Sequence, residues 1–460
     1  MTFNINRESI EAMEPWFVEK TVGAVKIPTV SSDPKASQFV IEGAVYFHAL
    51  LKEIGASSEI VQTRNHPLVL GTMNNGGTND PTVMLYSHID VQPAFASDWS
   101  RYPFSAEVDM NRKIIYGRGA TDDKGPTMIG LAACKKAREL GLPVNIRILL
   151  DTGEESGSID IPHVIESHPD FFKGVDYLVL NDGMWVSKNT PSLILGRRGL
   201  VYMQLELSYR DGSVHSGLAG GVALNPLGRL DEVYAQCINT STGKIKIPDI
   251  YKGNIPVPED EAAACLENFD IDAYLSALGV HDSDMRIMSR REKLQAICAS
   301  PTFELHGTAG GYTDWHGRST SIPGKARKYV SMRVAPGQDP EEMLVAVKKY
   351  LHEVEPLVKI SVLSSTPAYL IDGNETGLGY LEDAYEKGFG RRPLRVRGGG
   401  TESAAVDLQK ATGRPPLPFQ LSSPDEGYHR ENECFNYGER LTGGVLTFLH
   451  FLDNVANAGK

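Results

Sequence analysis

The sequence predicts an α/β fold with a mostly parallel central sheet and an inserted α+β domain, and three observations carry that prediction. The runs 81–86 (PTVMLY), 144–150 (VNIRILL) and 176–181 (DYLVLN) are β-rich and apolar at nearly every position, as in strands buried on both faces of a parallel sheet. The first two are separated by a helical pattern, GPTMIGLAACKKAREL, which is βαβ grammar. Beyond Gly199 the texture changes to one-sided alternation, the mark of a sheet with one face packed and one face wet.

Taken in order, residues 38–54 carry apolar side chains at helical spacing and stop at Gly55, which suits a C-terminal cap. In the crossover segment Pro126 sits where a first helical turn accepts proline, and the last turn is basic, as the helix dipole favours. The alternating strands are 201–210, 328–336 and 358–364, so a second domain is expected over about 200–368. Within it, 256–298 reads as irregular to helical. YLEDAYEKGFG predicts a helix, RPLRVRGGGTESAA a strand turning through a glycine run, and YGERLTGGVLTFLHFLDNVANA an amphipathic helix that packs back on the first sheet. Gly398-Gly399-Gly400 follows no P-loop or GxGxxG pattern, so nucleotide binding gains no support. No internal repeat or low-complexity tract is present.

Composition narrows the function classes. A chain of 460 residues suits two domains, with room for a third. Hydrophobic residues at 41% and charged residues at 23% are globular usage, which disfavours disorder and coiled coil. A net charge of -12 argues against nucleic acid, which demands a basic footprint, and against acidic membrane surfaces. No apolar stretch approaches the ~20 residues of a membrane helix, and the N-terminal MTFNINRESIEAMEPWF lacks a basic-then-apolar leader pattern. The five cysteines are scattered without a CxxC pair, so neither a disulfide framework nor a thiolate metal site is expected. A cytoplasmic protein is the expectation, and any metal it holds must be bound by imidazole and carboxylate.

Such groups fall at the strand ends. YSHID brings His88 and Asp90, LLDTGEE brings Glu154 and Glu155, and LVLND brings Asp182. Ligands of open α/β sheets bind beyond the carboxyl ends of the strands, so these groups should converge on one crevice. YGRGATDDKGP adds Asp122 and Asp123 at the same rim, and SPDEGYHREN supplies His429. Carboxylates crowded in this way repel one another unless cations neutralise them. Two imidazoles and three carboxylates suit two borderline divalent ions, zinc or manganese, sharing one aspartate ~3.5–4 Å apart. Singly each signal is bland, since a strand histidine is usually structural and a GEE triplet usually a solvated turn. The ordered set is what carries specificity.

That set, HxD, GRGATDDKG, DTGEESGS, LVLND and GYHREN in this order, resembles the dinuclear zinc aminoacylase, carboxypeptidase G and carnosinase family of metallopeptidases over nearly the whole chain. The GRGATDDKGP loop is most similar to the carnosinase and cytosolic nonspecific dipeptidase branch. The resemblance implies a phosphorylase/hydrolase-like catalytic domain in two parts, 1–199 and 369–460, with a lid and dimerisation domain at 200–368. It implies two divalent ions per chain, Zn²⁺ first and Mn²⁺ as the alternative. His88 and Asp182 would hold one, Glu155 and His429 the other, and Asp122 would bridge them. The Asp122-Asp123 peptide bond would be cis. Asp90 would accept a hydrogen bond from His88 and fix its tautomer, and Glu154 would be the general base toward a metal-activated water.

From the second domain, the resemblance implies that His215 in SVHSGLAGG steadies the oxyanion, often across a homodimer, and that Thr320 in STSIPGK acts similarly. Arg333 in SMRVAPG would bind a substrate carboxylate. Thr401 and Gly400 in RGGGTES would form a substrate-binding turn. Here the chain departs from the family, with Gly398 in place of an acidic residue and Glu402-Ser403 in place of Ile-Pro. The implied activity is hydrolysis of a peptide or amide bond in small substrates with a free carboxylate. An N-acyl-amino-acid deacylase or carboxypeptidase keeps the same chemistry, and a non-catalytic scaffold is the remaining alternative, although neither base nor ligand is missing. The other histidines, His48, His66, His163, His168, His281, His306, His316, His352 and His450, have no partner motif and are assigned surface or core roles. Trp99, Trp185 and Trp315 could line a pocket, with packing the preferred reading.

Overall fold

The computed structural model describes residues 5–312 and 318–458, and Trp315 and His316 lie outside them. Its central sheet has six strands in the order Ser57–Val61, Leu68–Asn74, Asn145–Asp151, Thr82–His88, Tyr177–Leu180 and Pro416–Pro418. The first two junctions are antiparallel and the remaining three parallel, so the sheet is mostly parallel. Thr82–His88 is buried at every position, which explains its unbroken apolar pattern: there is no wet face to alternate toward.

Helices cover this sheet. Ser37–Glu53 turns Val40, Ala44, Phe47 and Leu51 inward, and the chain leaves it at Gly55, whose φ of 89° lies in the left-handed region that favours glycine. Gly125–Glu139 forms the predicted crossover with proline in its first turn. The long helix Tyr437–Asn457 reaches the sheet through Phe448 against Phe419 and Phe451 against Tyr177. Its paired glycines have a steric cause, because a Cβ at Gly443 would lie 2.3 Å from the Phe389 ring of the neighbouring helix. Phe448, Leu449, Phe451 and Leu452 are fully buried, each contributing about 1.5–3 kcal/mol by transfer from water.

A second, antiparallel sheet runs Thr302–Ala309, Lys325–Val334, Gly199–Ser208, Lys359–Thr366. Gly199–Ser208 alternates strictly between buried and half-buried positions, the one-sided pattern of its sequence. Helices Pro226–Cys237 and Pro340–Val354 pack on the apolar face around a core of their own. The segment expected to be irregular to helical resolves into three helices, Glu259–Asn268, Ile271–Ala277 and Arg290–Cys298. They are short, and they bury their apolar side chains against Val186, Ile194 and Val396 from elsewhere in the chain, so helical periodicity alone was too brief to place them. Among the described residues no helix is long and apolar enough to cross a membrane.

Candidate metal centre

The crevice lies beyond the carboxyl ends of the parallel strands. His88 ends Thr82–His88, Glu154 and Glu155 follow Asn145–Asp151, and Asp182 follows Tyr177–Leu180. Asp122 sits in the loop before the crossover helix, and its peptide bond to Asp123 is cis. His429 comes from the loop ahead of Tyr437–Asn457 and holds a φ of 59°.

These side chains form two groups that share one residue. Ligand atoms of His88, Asp122 and Asp182 lie within 4.8 Å of one another, and so do those of Asp122, Glu155 and His429. The two oxygens of Asp122 face opposite ways: Oδ1 is 3.1 Å from His88 Nε2, and Oδ2 is 2.8 Å from His429 Nε2. His429 Nε2 is also 3.4 Å from Glu155 Oε2. All the carboxylates of the two groups are nearly or fully buried, and Glu155 Oε1 accepts no hydrogen bond among the described residues. An orphaned buried carboxylate oxygen is costly unless a cation completes it. Imidazole nitrogens and carboxylate oxygens without thiols match zinc or manganese, so the residues present fit two such ions.

The electrostatics point the same way. Burial disfavours charge on His429, yet Asp122 and Glu155 outweigh it and raise the imidazole to about 11. His88 is likewise raised, with Asp122 and Asp90 overcoming burial. Glu154 is pushed well above the carboxylate range by desolvation and by Asp182, Glu155 and Asp90, with His88 opposing.

Asp90 behaves differently from the expectation in one respect. Its carboxylate lies 3.4 Å from His88 Nδ1, a loose contact, and the closer partner of that nitrogen is the Asp90 carbonyl at 3.2 Å. The carboxylate instead accepts the backbone N–H groups of Glu154 (3.1 Å) and Glu155 (3.0 Å). Asp90 therefore fixes the turn that carries both glutamates and holds Glu155 toward His429 and Gln92, each N–H hydrogen bond to the charged group contributing about 1.5–3 kcal/mol.

Several supporting residues carry no signal that sequence reasoning used. Tyr428 donates its hydroxyl to Asp182 Oδ1 (2.9 Å) and stacks on His429, so adjacent residues serve both groups. Gln92 donates to Glu155 Oε2 at 2.6 Å. Glu433, fully buried, accepts the backbone N–H groups of Gly119, Thr121 and Asp122 at 2.9–3.0 Å and pairs with Arg118 at 2.8 Å. It ties the Asp122 loop to the segment that carries His429. Tyr428 stood in view inside GYHREN, whereas Gln92 and Glu433 belong to bland polar context.

The residues expected from the rest of the chain fall into two further places. Arg333 donates to the Thr401 hydroxyl, which donates to the Arg198 carbonyl (2.7 Å), and Gly400 precedes them on the rim of the same cavity. Glu402, the departure from the family pattern, is buried against Arg197 (3.0 Å) and accepts the Tyr369 hydroxyl (3.2 Å). His215 and Thr320 are exposed at a two-stranded antiparallel pairing of Val214–His215 with Ser321–Ile322, where the Ser216 N–H meets the Thr320 carbonyl at 2.9 Å. Among the described residues no hydrogen bond joins these two strands to the metal-site side chains. Trp185 is buried as a packing residue, with Arg440 stacked at 3.5 Å from its ring centroid, yet it also lines the Arg333 cavity.

Comparison with known proteins places this geometry in context. Residues 84–454 match peptidase family M20/M25/M40. The beta-Ala-His dipeptidase of Rattus norvegicus is 29% identical over 468 residues, spanning 97% of this chain and 92% of that protein. The structure of the di-peptidase Dug1p from Saccharomyces cerevisiae superposes with a TM-score of 0.87 at 26% identity, covering 99% of this chain and 98% of the other. The metallo-carboxypeptidase Sso-CP2 from Sulfolobus solfataricus gives a TM-score of 0.86 at 25% identity, covering 96% and 99%.

Proposed function

The chain belongs to peptidase family M20/M25/M40, and from that premise we propose that it is a two-metal dipeptidase whose base is Glu154 and whose bridging ligand is Asp122. It is a metal-dependent hydrolase of dipeptides, and relatives matched across nearly the full chain carry dipeptidase names. The observation that carries the finer reading is the shared Asp122, with one oxygen toward each ligand group. Zinc is the ion proposed, with manganese as its alternative, on the strength of the donor set.

Bound ions supply Lewis acidity to the scissile carbonyl and acidity to a water, whose pKa they can bring to about 7. The chain supplies the rest. Glu154, held by the Asp90-anchored turn, takes the proton from the water as it adds to the carbonyl carbon and passes it to the leaving nitrogen when the C–N bond breaks. Arg333 binds the substrate carboxylate through its guanidinium fork, with Thr401 and Gly400 beside it. His215 and Thr320 steady the oxyanion once the lid, 200–368, brings their paired strands over the crevice held by 1–199 and 369–460. A homodimer through the lid is proposed as well, supported by Leu218 and Val222, which are 89% and 88% exposed beside His215. Five free thiols support a cytoplasmic location.

A substrate panel tests this reading. Metal-loaded protein is expected to cleave dipeptides with kcat/KM at least about tenfold above N-acetyl amino acids, and to lose ~10–100-fold on C-terminally amidated dipeptides, the worth of one charge-assisted hydrogen bond. N-acetyl amino acids as the better substrates would make the chain a deacylase. Longer peptides losing single C-terminal residues would make it a carboxypeptidase, like the Sulfolobus solfataricus protein it resembles.

A further inference from the structure

Four arginines stand around the glycine run, and two of them lack an acidic partner. Arg197 pairs with Glu402 at 3.0 Å, and Arg397 grips both oxygens of Glu261 at 2.9 and 3.0 Å. Arg198 donates only to the carbonyls of Gly399, Ala296 and Ser300, and Arg333 only to the Thr401 hydroxyl, among the described residues. Burial works against the charge on both, and for Arg198 the nearby Arg333 adds to that. Two desolvated guanidiniums side by side with no carboxylate are a seat for an anion from outside the chain.

Both open on one cavity of about 310 Å³. Two links tie it to the metal-centre segments: Met184, two residues past Asp182, lines it, and Arg430, next to His429, donates to the Ala277 carbonyl at 2.8 Å at the end of a helix that supplies part of the lining. Arg397 also lines it with its guanidinium held by Glu261, and the remaining side chains are apolar and come largely from the three short helices and their ends: Phe269, Tyr274, Leu275, Leu278, Leu294 and Ile297. A volume near the lower end of ligand pockets, ~300–1,000 Å³, suits one side chain with its carboxylate.

We propose that this cavity is the subsite for the side chain of the substrate's C-terminal residue, and that it selects bulky apolar residues, aromatic or branched aliphatic. The carboxylate and the side chain of that residue share one carbon, so an anion held between Arg198 and Arg333 leaves the side chain nowhere to go but the apolar wall. The proposal rests on the reading above for the seat of the carboxylate. It is independent of whether the group cleaved off is an amino acid or an acyl group.

Two measurements on the metal-loaded full chain test it. In calorimetry N-acetyl-L-phenylalanine is expected to bind at least about tenfold more tightly than N-acetylglycine, and kcat/KM for Ala-Phe and Ala-Leu is expected to exceed that for Ala-Gly and Ala-Asp by a similar factor. Leu278 is 37% exposed at the cavity rim, so Leu278→Asp leaves the core intact. That variant is expected to cut the phenylalanine advantage below about threefold, with Ala-Phe turnover losing more than Ala-Gly turnover. Equal binding of the two N-acetyl compounds overturns the subsite. So does a Leu278→Asp variant that slows Ala-Gly and Ala-Phe alike, or a preference that follows only the N-terminal residue in Phe-Ala against Gly-Ala. Failure to cleave any dipeptide, with the N-acetylphenylalanine preference kept, defeats the dipeptidase reading and upholds the subsite.

Discussion

Glu154→Gln is expected to lower kcat on the order of 10²–10⁴-fold, the range that one positioned acid-base group supplies, while the protein keeps its metal. The amide has the size of the carboxylate and leaves the turn in place, because what anchors that turn is the backbone of 154 and 155 bonded to Asp90, not the Glu154 side chain. Glu155 still faces His429 and Gln92. What disappears is the ability to take a proton from water and hand it on. Stopped activity with wild-type metal content and an unchanged denaturation midpoint is the expected combination. A variant that retains a third or more of wild-type kcat removes Glu154 from the role.

Asp122→Asn has a different signature. Asparagine offers one carboxamide oxygen where aspartate offers two charged ones, so only one of the two ligand groups can keep its share. Its NH₂ also points a donor at an imidazole that must be neutral to bind metal. Metal content is expected to fall from two ions per chain to one or fewer, and kcat/KM by about a thousandfold or more, since the lost ion accounts for several kcal/mol of transition-state stabilisation. The loop itself should hold, because Glu433 grips its backbone amides rather than the side chain. Elemental analysis after gel filtration, alongside dipeptide hydrolysis, reads both effects. Full metal content in the variant would mean that Asp122 is not shared.

The contrast between Asp122 and Asp90 shows what can be read from a sequence of this kind. His88, Asp182 and Glu155 are legible because each closes a buried strand, and parallel strands must deliver their ends to the same edge. Local pattern therefore predicts long-range convergence there. The partners of Asp90 are not legible in the same way: whether a carboxylate meets an imidazole or two amides depends on loop conformation, which no periodicity encodes. Glu433 is harder still. Its partner Asp122 is 311 residues away in sequence, and an acidic residue between Asn432 and Cys434 has nothing to mark it out from a solvated one. The three helices over 259–298 were obscured for a physical reason too, since none is long enough to hold its shape without the apolar wall it covers.

Glu402 is instructive because a departure from the family motif turned out to have a partner. A glutamate in place of an apolar residue at a buried position needs compensation, and Arg197 and the Tyr369 hydroxyl provide it. The Arg197 guanidinium also lies 3.5 Å from the Asp182 carbonyl, which links the altered turn to the metal centre.

The most direct measurement of the central claim is a metal titration. Chelator-treated protein receives increasing Zn²⁺ or Mn²⁺ while hydrolysis of a dipeptide is followed. Two ligand groups joined by Asp122 predict that activity rises to a plateau at two equivalents per chain and that one equivalent gives less than full turnover. Full activity at one equivalent, or no activity at any loading with either ion, contradicts a shared-aspartate centre.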